Sequence, residues 1–377
     1  MVAMAGPGRS TSLSAPDPQI TFQHPSLADQ HQMQHNNPMK IPTCLLCETV
    51  QFAISDNVLI LNSAEDPFVK MAAQQIPAGR LVLAEDNIAS LSLYEQSRER
   101  NASGSFQHVP FHEYALRAAP ATIDVAAMNI LYQPGNVWIN YGLQLAMYAL
   151  KPGGSLYVTG AKDRGILSVA KRMQECFGNV ETLTISKGQR VVRSRKDEPL
   201  TAREAQVVQP LLASFADGDL DEGTRILLEA LEVHTTDVAL DIGCGAGFIG
   251  LHIARAASKG QVTMVDASLA AVDMARHRVE QSGLSNVQVL PSDGIQAVRF
   301  QRFDLVVTNP PFHLGGVQTT ATAERFIREA AQVLRPRGRF YLVANRFLKY
   351  EPTLRACFKT VEEVGGDTRY KVLRGLI

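Results

Sequence analysis

VALDIGCGAGFIG, residues 238–250, decides the fold. VALDI has the unbroken apolar character of a strand buried on both faces. Gly243, Gly245 and Gly247 then turn the chain into a segment with helical spacing. Glycine permits backbone angles closed to other residues and leaves room for a ligand against the main chain. A lone GxGxG carries little weight, but acids also end the next strands, Asp266 in VTMVDAS and Asp293 in VLPSDG. Asp266 lies 19 residues beyond Gly247, which suits recognition of ribose hydroxyls in a doubly wound α/β fold. Asp241, two residues before the first glycine, sits poorly beside a pyrophosphate and well beside a ligand carrying positive charge and an amino group. The residues therefore favour S-adenosylmethionine over NAD.

The region around this string exists twice. TIDVAAMNI in the first half answers RFDLVVTNP in the second, with Asp124 opposite Asp304 and Asn129 opposite Asn309. ALKPGGSLYVTGA answers VLRPRGRFYLVAN, with Leu150 opposite Leu334 and Tyr157 opposite Tyr341. The offsets are 180, 184 and, for Arg193 against Arg374, 181, so one fold is repeated with small loop changes. Each copy alternates strand and helix, the pattern of a mostly parallel sheet covered on both faces. In the second copy the predicted strands are 238–242, 261–265, 287–290, 303–307 and 339–343, with a late hairpin near 370–373; helices are expected over 269–282 and 322–334. The copies differ where chemistry belongs: VLILNSAEDP, residues 58–67, has no glycine, and NILY stands where the second copy has NPPF. The expected organisation is a tail over 1–39, a degenerate copy over 40–198, a connector over 199–219 and a working copy over 220–377.

FDLVVTNPPFH is the most informative string for chemistry. Asn309 closes a buried strand on the carboxyl edge of the sheet, where open α/β folds bind ligands. Pro310 and Pro311 stiffen the loop beyond it, so an acceptor is presented in a fixed place. This suits methylation of a planar, weakly nucleophilic amino nitrogen: Asn309 Oδ1 and the Pro310 carbonyl accept its two hydrogens while Phe312 stacks on the base. The loop has no cysteine for covalent attack on a ring carbon.

The glycine loop resembles that of class I S-adenosylmethionine-dependent methyltransferases. The loop at Asn309 resembles the NPP(F/Y) motif of amino-group methyltransferases acting on adenine N6, guanine N2 or glutamine amides. With NPPFHLGGVQTTATAERFI, LRPRGRFYLVANRFLKYEPTLRACF and RYKVLRG, the chain resembles bacterial ribosomal RNA guanine-N2 methyltransferases of the RsmC/RlmG type, strongly over 200–377 and more faintly over 50–198. That resemblance implies tandem Rossmann-like methyltransferase domains, each with a seven-stranded sheet, the first without its cofactor loop. It implies that Asp241 and the loop Gly243, Gly245 and Gly247 border the methionine part, that Asp266 with Ala267 holds the ribose, and that Asp293 with Gly294 meets the adenine amino group. Phe215, Asp221, Gly223 and Thr224, in the lead-in segment FADGDLDEGTRILLEAL, would also border the cofactor, as would Asn309. The implied reaction yields N2-methylguanosine and S-adenosylhomocysteine and needs no metal. The 16S type fits HLGG, VQTT and FLKYEPTL better than the 23S type. Adenine-N6 or protein glutamine methylation, and a non-catalytic S-adenosylmethionine sensor or assembly factor, stay open as alternatives.

The 377 residues carry 37 Lys+Arg and 37 Asp+Glu, so no global positive field draws the chain to nucleic acid and any RNA contact must be local. The local candidates are ISKGQRVVRSRK and LRPRGRFYLVANRFLK. Pro311, His313, Arg346 and Lys349 are assigned to the substrate, the last two to phosphates, whereas Trp138 and Tyr141 read more readily as core than as base-stacking residues. The RNA partner is a small-subunit particle, an assembly intermediate or naked 16S rRNA, met by a monomer without a membrane partner. The absence of a long apolar run and of a signal sequence predicts a cytoplasmic chain. Five cysteines, an odd number, predict reduced thiols, with Cys44 and Cys47 as small side chains of an apolar stretch. His24, His31 and His35 in the polar tail do not form a metal set.

Overall fold

Apolar runs alternating with amphipathic segments become strands and helices in turn. The computed structural model of the protein describes residues 40–97, 105–197, 220–311, 313–314, 317–318 and 320–377; the expected tail and connector, Phe215 and Phe312 lie outside the described residues. The first half consists of α1 (Ile41–Thr49), β1 (Asn57–Leu61), α2 (Phe68–Gln75), β2 (Arg80–Glu85), α3 (Ile88–Ser97), β3 (Ser105–Pro110), α4 (Tyr114–Arg117), β4 (Ile123–Asn129), α5 (Asn136–Ala149), β5 (Leu150–Ala161), α6 (Ile166–Phe177), β6 (Glu181–Ser186) and β7 (Gln189–Arg195). The second half begins with α7 (Glu222–Ala230), β8 (Val238–Ile242), α8 (Phe248–Ala256), β9 (Gln261–Asp266), α9 (Leu269–Ser282), β10 (Val287–Pro291) and β11 (Phe303–Thr308). It continues through the small hairpin β12 (His313–Leu314) and β13 (Val317–Gln318), then α10 (Ala321–Val333), β14 (Leu334–Asn345), α11 (Glu351–Cys357), β15 (Thr360–Gly366) and β16 (Tyr370–Leu376).

The strands form two seven-stranded sheets of the same order, β3-β2-β1-β4-β5-β7-β6 and β10-β9-β8-β11-β14-β16-β15. The first five strands of each are parallel, and the last two add antiparallel. Each sheet is buried on both faces because its side chains alternate between two cores. In the second sheet Leu240, Ile242, Val306 and Phe340 pack with Phe326 and Ile327 of α10. Ala239, Met264, Val307 and Tyr341 pack on the opposite face with Ile249 of α8 and Leu227 of α7. The first sheet divides likewise, Leu59 and Met128 toward α5 and α6, Ile60 and Ala127 toward α1 and α2.

Two details depart from the sequence reading. α10 ends one residue earlier than expected and passes straight into β14, which begins at Leu334. A register shift after Phe303 against β14 absorbs RPRG, and Arg337 there takes a left-handed φ of 68°, as its repeat equivalent Gly153 does at 84°. The basic runs are also largely consumed by the fold. Arg193 pairs with Glu181 at 2.6 Å, Arg335 with Asp304 at 2.7 Å, Arg339 with Asp237 at 2.5 Å and Arg346 with Glu363 at 2.8 Å. Trp138 and Tyr141 are core residues, packed around Phe111 with ring centroids at 5.7 and 5.2 Å. No disulfide joins the five cysteines, and burial pushes the Cys47 thiol up to about 11, which leaves little thiolate for redox exchange. Among the described residues no helix is long and apolar enough to cross a membrane.

Lys196 closes the first half from inside. It is buried, and its ammonium donates to the carbonyls of Met147 and Leu150 at 2.7 Å each, at the end of α5. Lys196→Met is therefore expected to destabilise the protein by roughly 1–3 kcal/mol through unsatisfied carbonyls. Thermal unfolding of the full chain checks this, and a melting temperature equal to the parent's would contradict it.

Candidate active site

The strand order reverses between β8 and β11, where the chain leaves the sheet in opposite directions and opens a cleft at the carboxyl edge. The glycine loop fills one side of that cleft. Gly243, Gly245 and Gly247 all have left-handed φ, at 70°, 52° and 85°, which a side chain would strain. Gly243 and Cys244 donate their amides to the Val265 carbonyl at 2.8 and 3.0 Å, tying the loop to β9. Asp266 holds it from the other side: its Oδ2 accepts from Gly245 N and its Oδ1 from Ser268 N, both at 2.8 Å. Asp241 is fully buried beneath the loop; Oδ2 accepts from Gly250 N at 2.9 Å, and Oδ1 has no hydrogen-bond partner among the described residues. Loss of water, only partly offset by the Gly250 amide and reinforced by nearby Asp266, pushes its carboxyl up to about 7.

Asn309 enters from β11. Thr308, buried next to it, donates its hydroxyl to the Ile242 carbonyl at 2.7 Å and so fixes the end of β11 against the end of β8. The Asn309 amide donates Nδ2 to Thr224 Oγ1 at 2.8 Å and to Asp221 Oδ2 at 3.2 Å. Asp221 in turn caps α7 through Thr224 N at 2.9 Å and accepts the Thr224 hydroxyl at 2.5 Å. A carboxylate only accepts, so it selects the NH2 side of the amide and leaves Oδ1 for another donor.

A cavity of roughly 330 Å³ brings these parts together: Asp221, Thr224, Gly243, Gly245 and Asn309 line it with Phe248 and Met274. Gly223 is buried beside Asp221, while Asp241, Gly247 and Asp266 support the glycine loop from behind. Asp293 stands apart, paired with Arg325 at 2.6 Å, and Gly294, with a left-handed φ of 55°, faces Glu329. Pro310 is buried and Pro311 exposed. Pro310 and Asn309 border a narrow slot shared with Asn345, Leu348 and Tyr370. His313 begins the hairpin β12–β13. Arg346 is exposed but already paired with Glu363 at 2.8 Å, so less of its charge is free for a phosphate than the sequence implied. Lys349 is exposed, and Phe347 between them is 58 % exposed.

Sequence reading missed Phe248, Met274, Thr308 and Phe347. The first two belong to helix faces that read as core. Thr308 precedes the asparagine that drew attention, and Phe347 sits inside FLKYEPTL, where an aromatic gives no sign of its exposure.

The equivalent gap between β1 and β4 is closed by polar side chains. Asn62 and Ser63 replace Gly243 and Cys244, and Gln133 Nε2 donates into the gap to the Leu61 and Asn62 carbonyls at 3.2 and 2.9 Å. Asn129, the counterpart of Asn309, donates to Asp66 at 2.7 Å. Glu85, the counterpart of Asp266, turns onto the backbone, accepting from Ala64, Asp86 and Asn87; burial pushes its carboxyl up to about 7.

Two such sheets, one with an open glycine loop facing an Asn-Pro-Pro strand end, define tandem Rossmann-like methyltransferase domains of which the second keeps its cleft. The family model for the methyltransferase small domain matches residues 207–374. Relatives named ribosomal RNA small subunit methyltransferase C include the Shewanella loihica protein, 31% identical over 71% of this chain and 83% of that one. The Pseudomonas entomophila protein of the same name is 33% identical over 65% of this chain and 79% of its own length. A solved structure of the T. thermophilus 16S rRNA N2 G1207 methyltransferase (RsmC), in complex with AdoMet and guanosine, superposes with a TM-score of 0.74 at 27% identity, covering 90% of this chain and 93% of that one. The chain belongs to the ribosomal RNA small subunit methyltransferase C family.

Asp241 makes the site pH-sensitive. Its folded-state value lies above the unfolded one, so its neutral form contributes stability that is complete below pH ~4 and is lost as pH rises toward about 7. Asp241→Asn, neutral throughout, is expected to gain on the parent as pH rises across that window. Denaturant unfolding of both proteins at pH 4 to 8 checks this; a constant difference would contradict it.

Proposed function

We propose that this chain transfers the methyl group of S-adenosylmethionine to the exocyclic N2 of a guanine in 16S ribosomal RNA, leaving S-adenosylhomocysteine. The observation that carries the reading is the Asn309 amide, whose NH2 side is engaged by Asp221 and Thr224 and which opens onto the same cavity as the glycine loop. A guanine amino nitrogen has its lone pair delocalised into the ring, so rate must come from placement and from acceptors that strengthen as positive charge develops. Asn309 Oδ1 and the Pro310 carbonyl would accept the two N2 hydrogens, with Phe312 stacked on the base and Pro311 and His313 beside it. The cofactor would lie along the glycine loop, its ribose on Asp266 near Ala267, its methionine end toward Asp241, Asp221 and Thr224, and its adenine toward Asp293 and Gly294. S-adenosylmethionine itself supplies the electrophilic methyl on its sulfonium. The target guanine must leave its helix to reach the pocket.

The first half, over 40–198, is read as an RNA-holding domain. This is supported by Lys162 and Lys187, which with Asp163 line an open depression of about 460 Å³ at its sheet edge and form no ion pair among the described residues. Beside the pocket, Arg346, Phe347 and Lys349 would meet phosphates and an unpaired base. We place the reaction in the cytoplasm, carried out by a monomer on a small-subunit particle, an assembly intermediate or naked 16S rRNA.

Mass spectrometric mapping of 16S rRNA from cells lacking and regaining the gene tests the activity: a single N2-methylguanosine should disappear and return, and methyladenosine in its place would overturn the substrate. Asn309→Ala should lower kcat about 100-fold or more with cofactor affinity nearly intact. Thr224→Val, which removes the shorter of the two bonds that hold the Asn309 amide, should lower kcat roughly tenfold; single-turnover transfer at the parent rate by either variant would refute these roles. Lys162→Glu with Lys187→Glu should weaken RNA binding and flatten its salt dependence by about 1 per lysine, and an unchanged salt slope would remove the first half from the RNA interface.

A further inference from the structure

The two halves of the chain meet through the segments that follow β2 and β9. Residues 86–88 follow β2 and residues 267–270 follow β9, so the two segments are repeat equivalents meeting at the boundary between the halves. They form an antiparallel bridge, Asn87 to Ser268. Ile88 N donates to the Ala267 carbonyl at 2.9 Å and Leu269 N to the Asp86 carbonyl at 3.0 Å. Asp86 Oδ1 accepts from Ala270 N at 2.8 Å, and Ala270, buried, packs within the first half's core.

Asp86 thus satisfies two of the free amides at the start of α9 and puts a carboxylate at its positive end. Its own place is heavily determined. Its amide donates to Asn62 Oδ1 and Glu85 Oε1, each at 3.0 Å, and both belong to the closed gap. His112 stands over it, Nδ1 at 3.7 Å from Asp86 Oδ1 and Nε2 at 2.9 Å from Asp273 Oδ2 on α9. Tyr141 donates to the His112 carbonyl at 2.9 Å. Burial opposes a charged imidazole, but the two carboxylates prevail and raise the His112 pKa. His112, Glu113 and Asp273 bring possible ligand atoms close together, yet Glu113 has Arg117 at 2.5 Å and Asp273 has Arg276 at 3.3 Å. The group reads as a neutralised contact and not as a cation site.

The segment gripped in this way starts immediately after Asp266. Ser268 N, which holds Asp266 Oδ1, belongs to the bridge itself. We propose that Asp86 is a positioning residue for cofactor binding: by fixing residues 267–270 it sets the Asp266 carboxylate for the ribose hydroxyls. The first half thereby acts on the cofactor that it does not bind. This rests on the proposed role of Asp266 as the ribose acid.

The test uses the full chain and calorimetric titration with two probes, S-adenosylhomocysteine and its 2′,3′-dideoxy counterpart. The parent should prefer the hydroxylated probe by about tenfold or more. Asp86→Ala should lose roughly tenfold for that probe and less than twofold for the dideoxy one, with KM for S-adenosylmethionine raised and kcat at saturation within about twofold. Asp86→Asn, which keeps an oxygen for the Ala270 amide, should recover most of the loss. If Asp86→Ala does not fold, His112→Gln carries the same comparison, with a smaller loss confined to the hydroxylated probe. Equal losses for both probes, or none, would overturn the proposal. A parent that fails to distinguish the probes would instead overturn the ribose assignment of Asp266, and the proposal with it.

Discussion

A parallel sheet whose strand order reverses must leave a gap at its carboxyl edge, and that gap has to be occupied by a ligand or by the protein itself. Both solutions occur in this chain. Between β1 and β4 the gap is closed by Asn62, Ser63, Gln133, Asn129 and Asp66, hydrogen-bonded to one another and to the backbone. Between β8 and β11 glycines replace the side chains, and a cavity of roughly 330 Å³ results. The closed gap is costly to desolvate unless every polar group is partnered, which accounts for the density of bonds there. The open one leaves Asp241 Oδ1, buried beneath the glycine loop, without a hydrogen-bond partner among the described residues.

The closed gap is also what supports the open one. Asn62 and Glu85 each take the place of a residue at the cofactor loop, and both bond to Asp86 N. The segment after β2, the repeat equivalent of residues 267–270, carries the start of α9. A repeat that has lost its ligand need not lose its geometry, because the same loop positions can be refitted to hold a neighbouring chain segment.

Charge is distributed by a similar rule. Most arginines of the two basic runs are taken up in ion pairs, Arg335 with Asp304 and Arg346 with Glu363 among them, and Arg374 beyond the runs pairs with both Glu232 and Glu362. Partly exposed pairs of this kind contribute little stability individually. They do remove free charge from the surface, and Lys162, Lys187 and Lys349 are among the cations that form no ion pair among the described residues.

Much was legible in the sequence because its signals are local. The glycine loop, the acids at strand ends, the Asn-Pro-Pro turn and the internal repeat depend on a few adjacent residues and on the periods of strand and helix. From these followed the duplicated α/β fold, the helix over 269–282 to the residue, and the absence of a glycine loop in the first half. Which charges would be free, which aromatics exposed, and which way the Asn309 amide points were not legible. The first and the last are settled by partners that folding supplies, Glu363 for Arg346 and Asp221 for Asn309. The sequence by itself determined the class of fold and the residues that could do chemistry, since both are written in backbone propensities and short spacings. Only the tertiary structure decided how those residues are oriented and what the first half holds, because desolvation and hydrogen-bond geometry act between groups that only folding brings within 3 Å.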